Sequence, residues 1–380
     1  MRELVAFLPY ALRTAFRARA RAWLTVCGAA LAMALFAFVR TVDGGVEQLA
    51  RDSRQPVLVV FQDSRFCPLT SELPLRYAQS IRQIEGVEAV LPTLVFVNSC
   101  RSNLDLVTLH GVEAQSLRSI YEFDVLGGSV EDYETRSDGA VVGARLAERR
   151  NLSVGQRVRL GDVDVHVSAV VKGKAAGVDN LAFVHLDQLA LSQKRQGGAT
   201  QIMVRMREGI DAEQAAEAID AVFRTDEART DTKSMQAFVA AAVGEIAEVV
   251  EFSRLLGYLA VLVVALVLAN TVFISAQSRS GEMAVLETVG LTKSRLAAIL
   301  AAEGTVLGVL GGILGIGTVL GALTIFPVTL GVEGYGIDVA PSLRVVLTSL
   351  AATVAVAVLA SLVPAVAVSR RPLHLGVKAE

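Results

Sequence analysis

Four stretches of the chain, 23–39, 255–276, 304–332 and 345–368, carry no charged residue. A helix needs about 20 apolar residues to cross a hydrocarbon core, so each stretch reads as a membrane span. The first is the shortest and follows Arg13, Arg17, Arg19 and Arg21, which is also the outline of a cleaved signal peptide. Against that outline, Arg40 follows at once and Val39, Val42, Val46 and Leu49 continue the apolar pattern at helical spacing, so a retained span whose helix outlasts the bilayer fits better. Between the first two spans the pattern is mixed. Runs at 56–61, 89–97, 139–142, 157–160, 163–171 and 201–206 have the composition of strands, and 75–84, 144–149 and 212–223 have helical periodicity. The region is therefore expected to be an α+β domain inserted into a four-helix membrane protein. Val163, Val165 and Val167 alternate with Asp164, His166 and Ser168, which puts His166 on the polar face of a half-buried strand as a solvated histidine.

From Ser234 a helical pattern runs without a breaker into the second span. Met235, Val239, Ala242, Ile246, Val249, Ser253 and Leu256 alternate spacings of four and three, the seam of a coiled coil, with Val39, Val42, Val46 and Leu49 as its partner stripe. An amphipathic helix lying on the outer domain is the alternative.

Basic residues orient the spans, because short loops rich in Lys and Arg stay in the cytoplasm. The N-terminal segment holds Arg2, Arg13, Arg17, Arg19 and Arg21, the loop after the second span Arg279, Lys293 and Arg295, and the tail Arg370, Arg371 and Lys378. The connection 324–343 has neither Lys nor Arg. Both termini are thus expected inside. The division is a cytoplasmic amphipathic segment (1–22), the first span with the start of a stalk (23–42), an extracytoplasmic α+β domain (43–233), a stalk helix with the second span (234–276), an inner loop (277–296), the third span (297–323), an outer loop (324–343), the fourth span (344–368) and a cytoplasmic tail (369–380).

Composition agrees with a membrane protein: 53% of the residues are apolar and only 19% charged, against about 25% in soluble domains. A formal charge of -2 with the 36 basic residues dispersed excludes a nucleic-acid binder that works by phosphate neutralisation. Three cysteines and four histidines, widely scattered, make no zinc cluster. The sequence holds no G-x-x-x-x-G-K-S/T, no H-E-x-x-H and no G-x-S-x-G. No catalytic residue, metal ligand or cofactor ligand is predicted, and energy for any driven process would come from a partner. Cys67 and Cys100 both fall in the outer region, where thiols meet an oxidising compartment, and are candidates for a disulfide closing a loop of about 33 residues. Spacing alone does not bring them within bonding distance.

The inner loop reads SRSGEMAVLETVGLTKSR over 278–295. Met283, Leu286 and Val289 fall at three-residue steps on one face, with Glu282 and Glu287 elsewhere, and Gly290 is placed to stop a helix. The expected element is a short amphipathic helix held between two spans, either an ordinary interfacial helix or one gripped by a cytosolic protein. In the third span, Gly304, Gly308, Gly311, Gly312, Gly315, Gly317 and Gly321 give several pairs four apart, faces on which helices approach closely, within the chain or across a dimer. Glu303 is the only acid in the apolar part of that span; an intramembrane carboxylate is a candidate for function, but a place near the helix start, where the dipole favours an anion and water is close, fits a structural role better. Asn270 is available for interhelical hydrogen bonding.

This loop resembles that of the FtsX-like, MacB-type permeases of ATP-binding cassette transporters, with a pattern near R-x-x-E-I/L/M-x-x-L-K/R-A/T-I/L/V-G. Arg279, Glu282, Met283, Leu286, Thr288, Val289 and Gly290 match, and Glu287 stands where the family usually has a base. The run PAVAVSRRP at 364–372 is similar to the family's closing pattern, LRTAFRARARAWLT to its arginine-rich approach, and GVEAV (86–90), VVGARLAERRNLSVGQRV (141–158) and VSAVV (167–171) to its periplasmic core. The resemblance implies a multi-pass permease of the bacterial plasma membrane, paired with a second copy or a paralogue. ATP and Mg would be held by separate cytosolic ATPase subunits, and a periplasmic adaptor or substrate protein would be met outside. It makes Gly281, Glu282, Met283, Leu286, Val289 and Gly290 the ATPase-coupling helix. Family members release lipoproteins, export macrolides and peptides, or regulate cell-wall hydrolases. The expected function is a permease that passes ATP-driven motion to its outer domain for export or release of a hydrophobic, amphipathic, peptide or lipoprotein substrate. A non-transporting regulator of a cell-wall enzyme and a lone membrane receptor are the alternatives.

Overall fold

The first uncharged stretch lies within α1 (Arg19–Asp52), a helix of 34 residues. The computed structural model describes residues 16–17, 19–53, 55–64, 68–99, 106–174, 177–195, 197–326, 328–332 and 335–369. Most of the expected N-terminal segment and tail, together with Cys67 and Cys100, lie outside the described residues. The chain divides into two units: residues 45–247 with 327–339, and residues 1–44 with 248–326 and 340–380.

The first of these is the α+β domain. In chain order it contains β1 (Val57–Gln62), β2 (Leu73–Pro74), α2 (Arg76–Ile81), β3 (Val87–Ser99), β4 (Leu106–Val112), α3 (Leu117–Ile120), β5 (Phe123–Gly128), α4 (Val130–Thr135), β6 (Gly139–Gly143) and α5 (Ala144–Arg150). Then follow β7 (Arg157–Leu160), β8 (Val163–Gly173), β9 (Leu181–His185), α6 (Leu186–Ser192), β10 (Gly198–Ala199), β11 (Gln201–Met206), α7 (Ala212–Val222) and β12 (Thr230–Ser234). The main sheet has the order β12-β1-β11-β3-β4-β9-β6-β8-β5, with β7 also paired to β8. It is mixed: β4 pairs β9 and β6 pairs β8 in parallel, and the remaining ladders are antiparallel.

The period of two along each strand sorts side chains to two covered faces. On β1, Val57, Val59 and Phe61 join a cluster with Tyr121, Tyr133, Phe183, Leu49 of α1 and Met235, Phe238, Val239 and Ala242. Leu58 and Val60 face the other way, toward Tyr77, Ile81 and Ile219 of α2 and α7. That second face continues around Leu109, Val142 and Val165 under Leu146 of α5 and Leu189 of α6. Burial on both faces explains why the inner strands read as continuous apolar runs. Asp211 caps α7 by accepting from the backbone N–H of Glu213 and Gln214 at 2.8 and 3.1 Å.

Ser234 Oγ accepts from the Ala237 N–H at 3.1 Å, and α8 (Met235–Ser278) runs unbroken for 44 residues. Its first two turns belong to the domain core, where Met235, Val239 and Ala242 share a cluster with Leu49 and Val46 of the expected partner stripe, so this part of the seam is packed into the domain and does not stand free as a stalk. The side chains of Ile246 and Val249 lie outside the described ones.

The other unit is helical. It holds part of α1, most of α8, then α9 (Ser280–Thr288), α10 (Lys293–Ile325) and, after β13 (Thr329–Val332) and β14 (Tyr335–Asp338) of the first unit, α11 (Leu343–Ser369). Four helices are long and apolar enough to cross a membrane: Arg19–Arg51, Val250–Ser278, Lys293–Ile325 and Leu343–Ala367. Trp23, Leu24, Leu31, Leu259, Leu262, Leu266, Ile313, Leu314, Leu347 and Val363 present exposed apolar surface, which lipid tails accept at no cost. The uncharged stretch 304–332 overran its helix. Phe326 turns to φ -120° and ψ 80°, the extended backbone demanded of a residue before proline, and Thr329–Val332 pairs with Tyr335–Asp338 as a hairpin instead of prolonging the span.

Candidate functional site

Arg279 separates α8 from α9, and its guanidinium reaches two carboxylates: Nε donates to Glu282 Oε2 on α9 at 2.9 Å, and Nη1 donates to Glu303 Oε2 on α10 at 3.1 Å. The free oxygen of each acid is also engaged. Arg17 Nη1 donates to Glu282 Oε1 at 2.7 Å, and Ser275 Oγ of α8 donates to Glu303 Oε1 at 3.1 Å. A continuous polar chain thus runs from the residues before α1, through α9, to α8 and α10. The hydrogen bonds from Arg279 and then Arg17 hold the Glu282 carboxyl below its usual value of 4.5. A depressed folded pKa means that the tether is complete above the ordinary carboxylate range and is lost only as pH falls through the lowered value.

Gly281 is the second residue of α9, and Gly290 ends it with φ +106°, a conformation that a side chain would oppose. The Leu291 N–H reaches Leu286 O at 3.1 Å and the Gly290 N–H reaches Glu287 O at 3.0 Å, the paired bonds of a Schellman stop. Met283, Leu286 and Val289 do not share one face. Each three-residue step on a helix of 3.6 residues per turn drifts by about 60°, so two steps separate Met283 from Val289 by about 120°. Met283 packs against the buried cluster formed by Val272, Ala276, Ala297, Leu300, Ala301 and Ala365. Leu286 is half-buried, and Val289 is 74% exposed. Val285, which the three-residue reading passed over, is 62% exposed and lies one turn before Val289. Outward from the helix bundle, α9 therefore presents Val285 and Val289 with the edge of its charged turn.

The glycines of α10 serve seams within the chain, with α11 and α8 on one side and α1 on another. A Cβ on Gly304 would meet Ser361 and Val272, on Gly308 Ala357, and on Gly312 Thr353, so the four-residue row packs on the antiparallel row Ser361, Ala357 and Thr353 of α11. A Cβ on Gly311 or Gly315 would strike Ala29 or the Ala30 backbone of α1. Gly317 and Gly321 have nothing within 4 Å.

Glu303 is the eleventh residue of α10, three turns past Lys293, so the helix-start account of its charge is wrong. The Arg279 ion pair takes that place. Near it is a cavity of about 10 Å³, room for one water, lined in part by Arg21, Thr271, Ser275 and Glu303. At the other end of the bundle Asp43 of α1, 3% exposed, receives both Nε and Nη2 of Arg254 at 3.2 and 3.1 Å, with Arg40 at 3.7 Å. Sequence reasoning missed both clusters. For Asp43 and Arg254 a signal existed: Arg254 directly precedes the second uncharged stretch, and Asp43, three residues beyond Arg40, is the first acid after the first stretch. Cys27, in α1, is exposed and free. His166, half-buried on β8, lies 3.9 Å from Asp132. Among the described residues no group of three or more His, Cys, Asp or Glu is disposed to hold a metal ion.

A family model described as the MacB-like periplasmic core domain matches residues 23–222, and one described as the FtsX-like permease C-terminal matches residues 254–373. The periplasmic region of MacB from Actinobacillus actinomycetemcomitans is similar at 12% identity with a TM-score of 0.39, covering 52% of this chain and 96% of that one. The extracellular domain of the noncanonic ABC-type transporter YknZ from Gram-positive bacteria is similar at 14% identity with a TM-score of 0.36, covering 47% of this chain and 98% of that one. No curated protein matches the chain.

Proposed function

Since this chain belongs to the FtsX-like, MacB-type permeases, multi-pass membrane components of ATP-binding cassette systems that work with a cytosolic ATPase, we propose that it transmits that ATPase's motion across the membrane through α9. The observation that carries this reading is the outward pair Val285 and Val289 on a short helix held by Arg279 between two spans. A helix so placed offers a partner an apolar contact, and its polar side is already anchored to the bundle. In this arrangement both termini and α9 are cytoplasmic, the membrane is the bacterial inner membrane, and the α+β domain works outside it, as the basic residues flanking the spans support. ATP and Mg are bound by the partner and not by this chain. A second permease copy or a paralogue completes the assembly, and the substrate is hydrophobic, amphipathic, a peptide or a lipoprotein, received with a periplasmic adaptor or as a protein.

Capture of the full chain from native membranes in mild detergent tests this. We expect a cytosolic ATPase with a phosphate-binding loop to come down in stoichiometric amount, with ATP hydrolysis in the complex and none by the chain alone. Intact chain isolated without any ATPase, or hydrolysing ATP by itself, overturns the reading.

A further inference from the structure

The guanidinium of Arg279 bonds α9 through Glu282 and α10 through Glu303, and the Arg279 and Glu303 side chains are only 11% and 8% exposed. A buried ion pair adds little stability over well-packed apolar side chains of the same volume, because desolvation of both charges opposes their attraction. Geometry is what it does supply, since the planar fork donates only along fixed directions. The apolar contact of Met283 with the bundle is non-directional and tolerates sliding; the Arg279 contact does not. Ser275 fixes the second oxygen of Glu303 and Arg17 the second oxygen of Glu282, so neither carboxylate is free to swing after a moving partner.

We propose that Glu303, through its ion pair with Arg279, is a positioning residue that joins α9 to the membrane helix α10, so that a displacement of α9 reaches α10 as one rigid step. This rests on the reading of α9 as the ATPase-coupling helix. The test uses the full chain in lipid nanodiscs, with Cys27, Cys67 and Cys100 replaced by Ser and spin labels on Ser280→Cys, an exposed residue at the start of α9 away from Val285 and Val289, and Ile313→Cys of α10. Pulsed electron-resonance distances are recorded without nucleotide and, for the complex with the captured ATPase, with ATP and vanadate.

The labels are expected to give a narrow distance distribution that shifts with nucleotide. With Glu303→Leu and Arg279→Leu together, the chain still captures the ATPase and melts near the wild-type temperature, but the distribution broadens. The nucleotide shift then falls by roughly five-fold or more, the lower end of ordinary coupling effects. Glu303→Asp, which keeps the charge, retains most of the shift. A wild-type shift in the double variant, or a loss in Glu303→Asp as deep as in the double variant, overturns the joint. If the double variant does not fold, Glu303→Gln is judged by the same readouts. If the wild-type chain captures no ATPase, the coupling reading falls by itself; the joint is then decided by the nucleotide-free distribution, and an unchanged width in the variant refutes it.

Discussion

A hydrogen atom in place of a side chain decides how closely α10 can approach α1 and α11. Gly312 faces Thr353 so closely that a valine there must displace one helix, whereas Gly317, five residues on, faces open space. Overpacking of this kind costs about 1–3 kcal/mol, and an open site is usually within about 0.5 kcal/mol of neutral. Gly312→Val is therefore expected to lower the thermal unfolding midpoint measured in detergent well below that of Gly317→Val; equal midpoints would contradict these seams. That small residues recur at four-residue spacing was visible in the sequence. Their partners were not, because Gly304 and Gly308 meet both α8 and α11, Gly312 meets α11, and Gly311 and Gly315 meet α1. Glu303 shows the same limit: a lone acid in an apolar span was evident, but the arginine that balances it lies between α8 and α9, 24 positions away.

At the scale of the element, α9 shows what periodicity can and cannot settle. Its start, its glycine stop and its length could be read from the residues, yet three-residue steps placed Met283 and Val289 on one face when they lie a third of a turn apart. The consequence is a specific expectation: Val285→Asp with Val289→Asp should leave the chain folded and inserted but abolish ATPase capture. Met283→Asp, which buries a carboxylate against the cluster that includes Val272 and Leu300, should instead lower the thermal midpoint, a burial penalty of several kcal/mol if unpaired. Retained capture by the first variant removes the outward apolar pair from the interface. In the domain, the strands at 157–160 and 201–206 were located from composition. Leu106–Val112 and Leu181–His185 were not, because a strand buried on both faces has no alternation to mark it.

For the whole molecule, the distribution of Lys and Arg predicts the topology, and labelling tests it. In a background free of native cysteines, Ser153→Cys, in the α+β domain, should react with an impermeant reagent in intact cells. Ser294→Cys, after α9, should react only once the membrane is opened; labelling of Ser294→Cys in intact cells would reverse the orientation. Hydropathy, charge placement and strand composition determined that the chain has four spans with an α+β insertion after the first, since each depends on a residue and its near neighbours along the chain. The tertiary structure alone decided that Arg17 meets Glu282 across 265 positions and Arg254 meets Asp43 across 211. It alone decided which glycine faces which helix, and that the head of α8 is part of the domain core. Such contacts are made by residues far apart in sequence, where the angle of each side chain about its helix and the approach of a second helix act together, and no local pattern records either.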